Sequence, residues 1–387
     1  MWCTLNRLNS PEALRAPAAP IGLYIHVPFC GGTKCPYCDF YSVCYSDAAA
    51  TAYAAAVRRN LRLYGERSGR EAVDTVYFGG GTPVLLGEHL TELLAAIRED
   101  FTLLPDAEIT LEANPAECDV AILRTLREGG FNRVSFGVQS LWDEELRQLG
   151  RRHTAEEAVE AVRAASEAGF ANISADLMIA TPGQTMQSLE RTLDGLLSLP
   201  VTHVSGYLLK VEEGTPFHRQ RIWEQLPDED TQAEAYLRVV ERLSRAGFRQ
   251  YEISNFAKPG LECRHNLRYW RCEDYLGIGP AAHSLYGGKR FAVAPDLAAF
   301  MGASEQQVSV TDDAPLSFSE RLMLALRLNE GVDLATLCGE EGRDPAPLLA
   351  KSRTMARGGL LTMEDARIAL TPQGMLVSNE VITQLLV

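Results

Sequence analysis

The chain has no apolar run near the ~20 residues that a helix needs to cross a bilayer, so no membrane span is expected. It also lacks basic charge. Its 37 Lys and Arg face 51 Asp and Glu, a formal net charge of −14. A general nucleic-acid binder would be basic and a membrane-surface protein would carry a polybasic patch, so neither class is expected. Residues 1–20 hold Arg7 and Arg15 but no apolar signal core, and their Arg content is too slight to support a transit peptide. Nine cysteines is an odd count, and without a sign of secretion it argues against a disulfide framework. A reducing cytoplasm is the expected compartment. No internal repeat, low-complexity tract or long charge run interrupts the sequence.

What is present is 387 residues, 46% hydrophobic and 23% charged, an ordinary globular balance and enough chain for two domains with a sizeable core. The chemistry is densest between Tyr24 and Tyr41. An apolar strand-like run, Ile21 to Val27, leads through Pro28 into a loop carrying Cys30, Cys35 and Cys38. Three thiolates on one short loop can hold three irons of a [4Fe–4S] cube and leave the fourth iron open to a small molecule. Zinc is the other metal such a loop suggests. It would need a fourth ligand, with Cys44 and His26 as candidates, and no downstream motif supports a zinc fold. Four residues, Gly31-Gly32-Thr33-Lys34, separate the first two cysteines. The adjacent glycines can take φ > 0 at little cost, which would let the longer loop bulge outward.

Downstream, helical and strand-like segments alternate. Ser46 to Arg67 reads as a helix capped by Ser46, and Thr75 to Phe78 as a strand running into Gly79-Gly80-Gly81-Thr82-Pro83. Strands follow at Glu108 to Glu112, Asn132 to Phe136, Asn172 to Asp176 and His203 to Tyr207. Helices lie between them, one opening on a capping box, Thr154 with Glu157. Such alternation predicts a parallel sheet. Polar residues fall at the C-terminal strand ends (Glu112, Gln139, Asp176), which in a β/α barrel is the functional face.

The cysteine loop together with these strand-end motifs resembles the radical S-adenosylmethionine (SAM) superfamily. Its flanking residues resemble the branch that contains the anaerobic coproporphyrinogen III dehydrogenase and its heme-chaperone relatives. The family spacing is three residues then two, so the four residues after Cys30 depart from it. The resemblance implies a partial (β/α)6 TIM-type barrel over 21–216, after an N-terminal extension, 1–20. A C-terminal α+β domain over 217–387 is implied, with a small winged-helix-like module at about 317–387. It also implies a [4Fe–4S] cluster on Cys30, Cys35 and Cys38, and SAM contacts at Tyr24, Phe40, Gly80, Gly81, Thr82, Glu112, Gln139, Arg151 and Asp176. In that scheme Glu112 accepts from the SAM amino group and Asp176 binds a ribose hydroxyl. Taken singly, strand-end carboxylates more often cap the next helix, and Tyr24 and Phe40 are as well suited to core packing.

Past Gly214-Thr215-Pro216 the composition changes. Asp228 to Ala246 is one amphipathic helix, followed by His265-Asn266-Leu267-Arg268-Tyr269-Trp270 and then Tyr275-Leu-Gly-Ile-Gly279-Pro-Ala-Ala-His283. The hexapeptide resembles the heme-chaperone signature, which makes His265 the expected heme contact. A lone histidine would otherwise read as a core residue. The tail reads as a helix at Glu320 to Leu328, a linker, a helix at Leu348 to Gly358, a hairpin, and one last helix from Leu370 to Leu386. Two activities follow from the resemblance: a chaperone that delivers heme to acceptor proteins, or oxidative decarboxylation of coproporphyrinogen III. The dehydrogenase branch carries a fourth cysteine where this chain has Phe40, and has a long N-terminal extension where about twenty residues precede this barrel. Both features favour the chaperone. A third reading is a pseudo-enzyme whose loop insertion has removed the cluster. Expected partners are heme, a heme-accepting protein and a flavodoxin- or ferredoxin-type electron donor, with no nucleic acid. A membrane would be met only through the acceptor.

Overall fold

In the computed structural model, residues 19–387 are described, so the expected N-terminal extension lies outside the described residues apart from its last two positions. Strand β1 (Ile21–Val27) sets the plan of the sheet. Ile21, Leu23, Ile25 and Val27 are fully buried in the main hydrophobic core, as the period of two requires for a strand covered by helices. Gly22, Tyr24 and His26 alternate with them and point into the concave side. Five more strands pair in parallel in chain order: β2 (Ala72–Gly80), β3 (Thr102–Ala113), β4 (Arg133–Gln139), β5 (Asn172–Ile179) and β6 (His203–Leu208). Helices α1 (Asp47–Ser68), α2 (His89–Asp100), α3 (Val120–Gly129), α4 (Ala155–Glu167), α5 (Met186–Leu197) and α6 (Glu229–Arg245) follow the six strands in turn. The parallel αβ alternation is thus observed. Ser46 caps α1, and the Thr154–Glu157 capping box opens α4. The strands run longer than their apolar cores because polar residues at both ends stay on the ladder.

The arc does not close, since β1 and β6 do not pair. Each edge is taken by chain beyond residue 216. On β6 lie β8 (Asn255–Ala257) and then β7 (Arg249–Gln250), both antiparallel. Helix α7 (Arg264–Trp270) then carries the chain back to β1, where β9 (Tyr275–Ile278) pairs in parallel. Antiparallel β10 (His283–Tyr286), β11 (Lys289–Val293) and β12 (Val308–Asp312) complete a twelve-stranded sheet. The expected division at 216 therefore falls inside one continuous sheet. The fold is a partial barrel of six βα units extended at both edges.

The tail builds a three-stranded sheet, β13 (Val332–Asp333), β15 (Arg367–Leu370), β14 (Leu361–Glu364), flanked by helices. Two expectations fail here. The linker contains a helix, Leu334–Glu340, whose first turn is capped by Asp333 accepting the Thr336 N–H at 2.8 Å. Seven residues are too few for a period to register. The single last helix is two, Pro372–Leu376 and Ser378–Leu386, broken at Val377. Arg327 donates to both Ser378 and Asn379, anchoring the start of the second.

Candidate cluster and cofactor site

The short strand Phe29–Cys30 pairs in parallel with Val43–Cys44 and closes the cysteine loop into a bow. Within it, the Cys38 N–H donates to the Cys35 carbonyl at 3.1 Å, and the Tyr45 N–H closes the base on the Cys30 carbonyl at 3.1 Å. Cys30, Cys35 and Cys38 are half-buried free thiols. Burial pushes the Cys38 thiol up. Arg151 Nη1 lies 3.5 Å from Cys35 Sγ and 3.5 Å from the Tyr37 hydroxyl, so a cation stands beside the Cys35 sulfur. Among the described residues no three His, Cys, Asp or Glu side chains close on one metal ion. A cubane takes each thiolate to a different iron, so three cysteines spread along one bow fit it better than they fit zinc. The proposed zinc partners do not help: Cys44 is exposed, and both ring nitrogens of His26 are engaged, with the Tyr24 hydroxyl at 2.9 Å and the Tyr41 carbonyl at 3.0 Å.

The extra loop residue is accommodated in a way the sequence did not suggest. Neither Gly31 nor Gly32 adopts a positive φ. Their use is close approach: a Cβ on Gly32 would stand 3.0 Å from Arg152 Nη1, and one on Gly31 would stand 3.0 Å from Glu117 Oε1. Gly31 and Thr33 are exposed, so the added length does bulge outward.

The glycine strip after β2 lies directly against this bow. The Gly81 and Thr82 N–H groups donate to the Val27 and Phe29 carbonyls at 2.8 and 2.6 Å. A Cβ on Gly81 would collide with the Phe29 carbonyl, so only glycine permits the contact. Gly80 has φ 112°, and a Cβ there would sit 2.7 Å from the His26 ring. Its N–H donates to Glu112 Oε2 at 2.9 Å, while Glu112 Oε1 accepts from the Tyr77 hydroxyl at 2.8 Å. Burial, with Asp176 nearby, raises the Glu112 carboxyl to about 7. Each Glu112 oxygen keeps a second lone pair, so the group can still accept from a ligand.

Asp176 is raised by burial too, and accepts from Ser135 Oγ at 3.4 Å and from Ser205. Gln139 ends β4 with φ 67°, a conformation uncommon for glutamine, at the register shift between β4 and β5. Arg151 Nη2 donates to Asn114 Oδ1 and to the Gly137 carbonyl, both at 2.8 Å, and Asn114 Nδ2 donates to Thr82 Oγ1 at 2.8 Å. One chain of hydrogen bonds therefore joins the glycine strip, β3, β4 and the cysteine bow. Tyr24 points into the concave side with its hydroxyl on His26. Phe40 is 60% exposed on the bow and packs no core.

His265, the expected heme contact, lies in surroundings unlike those of the other expected site residues. It is 0% exposed, and both ring nitrogens are engaged, with Thr75 Oγ1 at 2.9 Å and the Tyr269 hydroxyl at 2.8 Å. Tyr77 stacks on it with centroids 5.2 Å apart. Burial, helped by the Arg268 and Arg133 charges, holds its pKa down to about 3. Heme iron could reach this ring only by breaking a buried hydrogen bond inside a packed layer. His265 is a core histidine that plugs the N-terminal end of the arc, where Gly22 makes room for it.

Comparison with known proteins agrees with this architecture. The radical SAM superfamily matches residues 24–196, and the HemN C-terminal domain matches 318–377. The chain is 38% identical to the heme chaperone HemW of Mycobacterium tuberculosis (strain H37Rv) over 97% of both chains. It is 36% identical to heme chaperone HemW of Bacillus subtilis over 92% of this chain and 97% of that one. This chain belongs to the HemW group of the radical SAM superfamily. Among solved structures, coproporphyrinogen III oxidase (HemN) from Escherichia coli superposes with a TM-score of 0.83 over 97% of this chain and 92% of that one. At 23% identity that likeness speaks for the fold alone.

Several residues of the constellation were not singled out from the sequence. Tyr77 orients Glu112, and Ser135 and Ser205 hold Asp176, while His26, which holds the Tyr24 hydroxyl, was weighed only as a zinc ligand. The signal was available. Tyr77 and Ser135 lie four residues before the suspected Gly81 and Gln139, and Ser205 is the register partner of the suspected Asp176. Asn114, which bridges Arg151 and Thr82, sits in the quoted Ala113-Asn114-Pro115 turn.

Proposed function

We propose that this protein is a heme chaperone that carries a [4Fe–4S] cluster, binds SAM, and hands heme to an acceptor protein. The observation that carries the reading is near-full-length similarity to proteins named heme chaperone HemW. The residues fit the cofactors. Cys30, Cys35 and Cys38 would hold the cluster, which when bound supplies an electron to SAM and receives one from a flavodoxin- or ferredoxin-type donor. Glu112 offers the SAM amino group a carboxylate already oriented by Tyr77 and Gly80. Asp176 offers a ribose hydroxyl an acceptor braced by Ser135 and Ser205. Gly80, Gly81 and Thr82 provide the close backbone approach, and Gln139, Arg151 and Tyr24 line the same face. The exposed Phe40 stands where the dehydrogenase branch has its fourth cysteine, which supports the chaperone over oxidative decarboxylation. A cytoplasmic setting suits an oxygen-sensitive cluster.

The test is anaerobic reconstitution with iron and sulfide, followed by electron paramagnetic resonance with and without SAM, a heme titration, and an assay for protoporphyrinogen. A cluster signal perturbed by SAM, a heme Soret shift and no porphyrinogen product are expected. Turnover of coproporphyrinogen III by the wild-type protein would sink the chaperone reading.

A further inference from the structure

With His265 in the core, the proposed chaperone function needs another contact for heme iron. The chain has seven histidines, and their hydrogen bonds sort them. His26, His203 and His265 each have both ring nitrogens engaged: His203 with Ser174 Oγ and the Tyr251 hydroxyl, both at 2.8 Å, the other two as described above. His89 is tied to Glu92 at 2.9 Å on α2, and His153 is buried with Nε2 on the Val138 carbonyl at 3.1 Å. Two remain. The half-buried His218, on the short helix Pro216–Arg219, lies against the Trp223 ring at 5.2 Å. His283 is exposed, and its ring makes no hydrogen bond among the described residues.

The chain around His283 is built to present it. The Tyr275–Leu285 pair joins β9 to β10, and beyond it the backbone at His283 crosses over the face of Gly277, whose N–H is bonded to Ser284 Oγ at 2.9 Å. A Cβ on Gly277 would run into the His283 carbonyl. Gly277 is in turn the register partner of Tyr24 on β1, which puts His283 on the concave face at the open side of the arc. The turn before it is over-determined. Gly279 has φ 115° and packs on the His26 carbonyl, and Ala281 has φ 65°, a left-handed conformation that alanine adopts rarely. Gln306, itself 3% exposed, donates to the Gly277 carbonyl at 3.0 Å and accepts the Gly279 N–H at 3.2 Å. Ala282 is fully buried, and its carbonyl accepts the Val293 N–H at 2.8 Å. Burial is the main reason that His26 titrates low, and the charge of His283 adds to it, so the two imidazoles are neighbours. A strained, clamped turn that ends in an exposed and unbonded imidazole serves no core.

We propose that His283 is the imidazole ligand of the heme iron, held at the open side of the arc beside Tyr24 and His26. The assignment rests on the chaperone reading. Neutral imidazole is a common axial ligand to heme iron, and the ring needs no rearrangement to offer a nitrogen to a flat macrocycle entering from that side.

The experiment titrates hemin into the full-length wild type and into His283→Ala, His218→Ala and His265→Ala, reading the Soret band and the ferric spin state by electron paramagnetic resonance. His283→Ala should lose the imidazole signature and bind at least tenfold more weakly, with wild-type circular dichroism because the ring supports nothing. Free imidazole should restore its spectrum, and His283→Tyr should give a phenolate-type spectrum. Wild-type affinity and spectrum in His283→Ala would overturn the assignment, as would loss of the signature in His218→Ala alone. A wild-type protein that binds no heme at all would instead remove the chaperone reading on which the assignment rests.

Discussion

The concave side of the arc holds two polar layers built from the same strands, and they behave in opposite ways. Toward the strands' N-terminal ends, Glu108, Arg133, His203, Cys263 and His265 are all nearly or wholly buried. Glu108 accepts from Cys263 Sγ, the Arg264 N–H and the His265 N–H, at 3.5, 3.0 and 3.1 Å. Its partners are internal, so this layer is closed. Two to six residues further along the strands, Tyr24, Glu112, Gln139 and Asp176 are half-buried, and Tyr207 is 41% exposed. These groups have acceptor capacity to spare, and burial raises the Glu112 and Asp176 carboxyls. Glutamate occurs in both layers, as a support with internal partners at Glu108 and with acceptor capacity to spare at Glu112. What sets Glu108, His203 and His265 apart is that their side chains are already engaged, since an engaged, buried group must break a bond to take a ligand.

Six variants in four tests probe that division, and the largest effect comes first. Replacing Cys30, Cys35 or Cys38 by Ala should abolish the cluster, because a cube cannot stay on two thiolates of so open a loop; iron and sulfide analysis after anaerobic reconstitution reads it. Full occupancy in all three single variants would undo the assignment. His265→Ala should act on the closed layer. It removes a buried ring and two hydrogen bonds, so denaturant unfolding should register a loss of roughly 2–4 kcal/mol, while heme bound to the folded fraction keeps its spectrum. A stable variant with an altered heme spectrum would reverse the roles of the layers.

Glu112→Gln should act on the open layer. A charge-assisted hydrogen bond contributes about 1.5–3 kcal/mol, so SAM affinity should fall on the order of tenfold to a hundredfold by calorimetry. The pH dependence has a definite sign. The folded-state value of Glu112 is raised to about 7, so the carboxyl is neutral below that pH and pairs poorly with a cationic amino group. Wild-type SAM affinity should therefore rise between pH 6 and pH 8, and Glu112→Gln should flatten the rise. In the absence of SAM the same shift favours the protonated fold. Its stabilisation is present below the ordinary carboxylate value and is lost as pH climbs to about 7. The smallest effect is expected from deleting Thr33. It is exposed, whereas Gly32 makes room for Arg152 and Lys34 donates to the Phe40 carbonyl. Cluster occupancy should hold, and a collapse would mean that the four-residue spacing is itself required.

The sequence was most informative where structure is local. The strand–helix alternation, the Ser46 and Thr154 caps and the cysteine bow all depend on neighbours within a few positions, and they appear as expected. Short elements escaped it. The helix Leu334–Glu340 spans too few residues to carry a period, and the break at Val377 is anchored by Arg327, fifty residues earlier. The site was legible as a set of strand ends, because parallel strands deliver their C-terminal residues to one face. Its wiring through Asn114, Tyr77 and the serines was not, because each bond joins strands tens of residues apart.

By itself, then, the sequence determined which residues could serve: three cysteines on one loop, carboxylates and glycines at strand ends, a histidine beside aromatics. Only the tertiary structure decided which of them remain free. His265 and His283 are both histidines in conspicuous motifs eighteen positions apart. The return of α7 across the arc seals the first between Thr75 and Tyr269, and the clamped turn before β10 leaves the second in the open. A local pattern encodes a side chain's chemistry. Its burial and its hydrogen-bond partners come from segments far along the chain, and those decide whether that chemistry can be used.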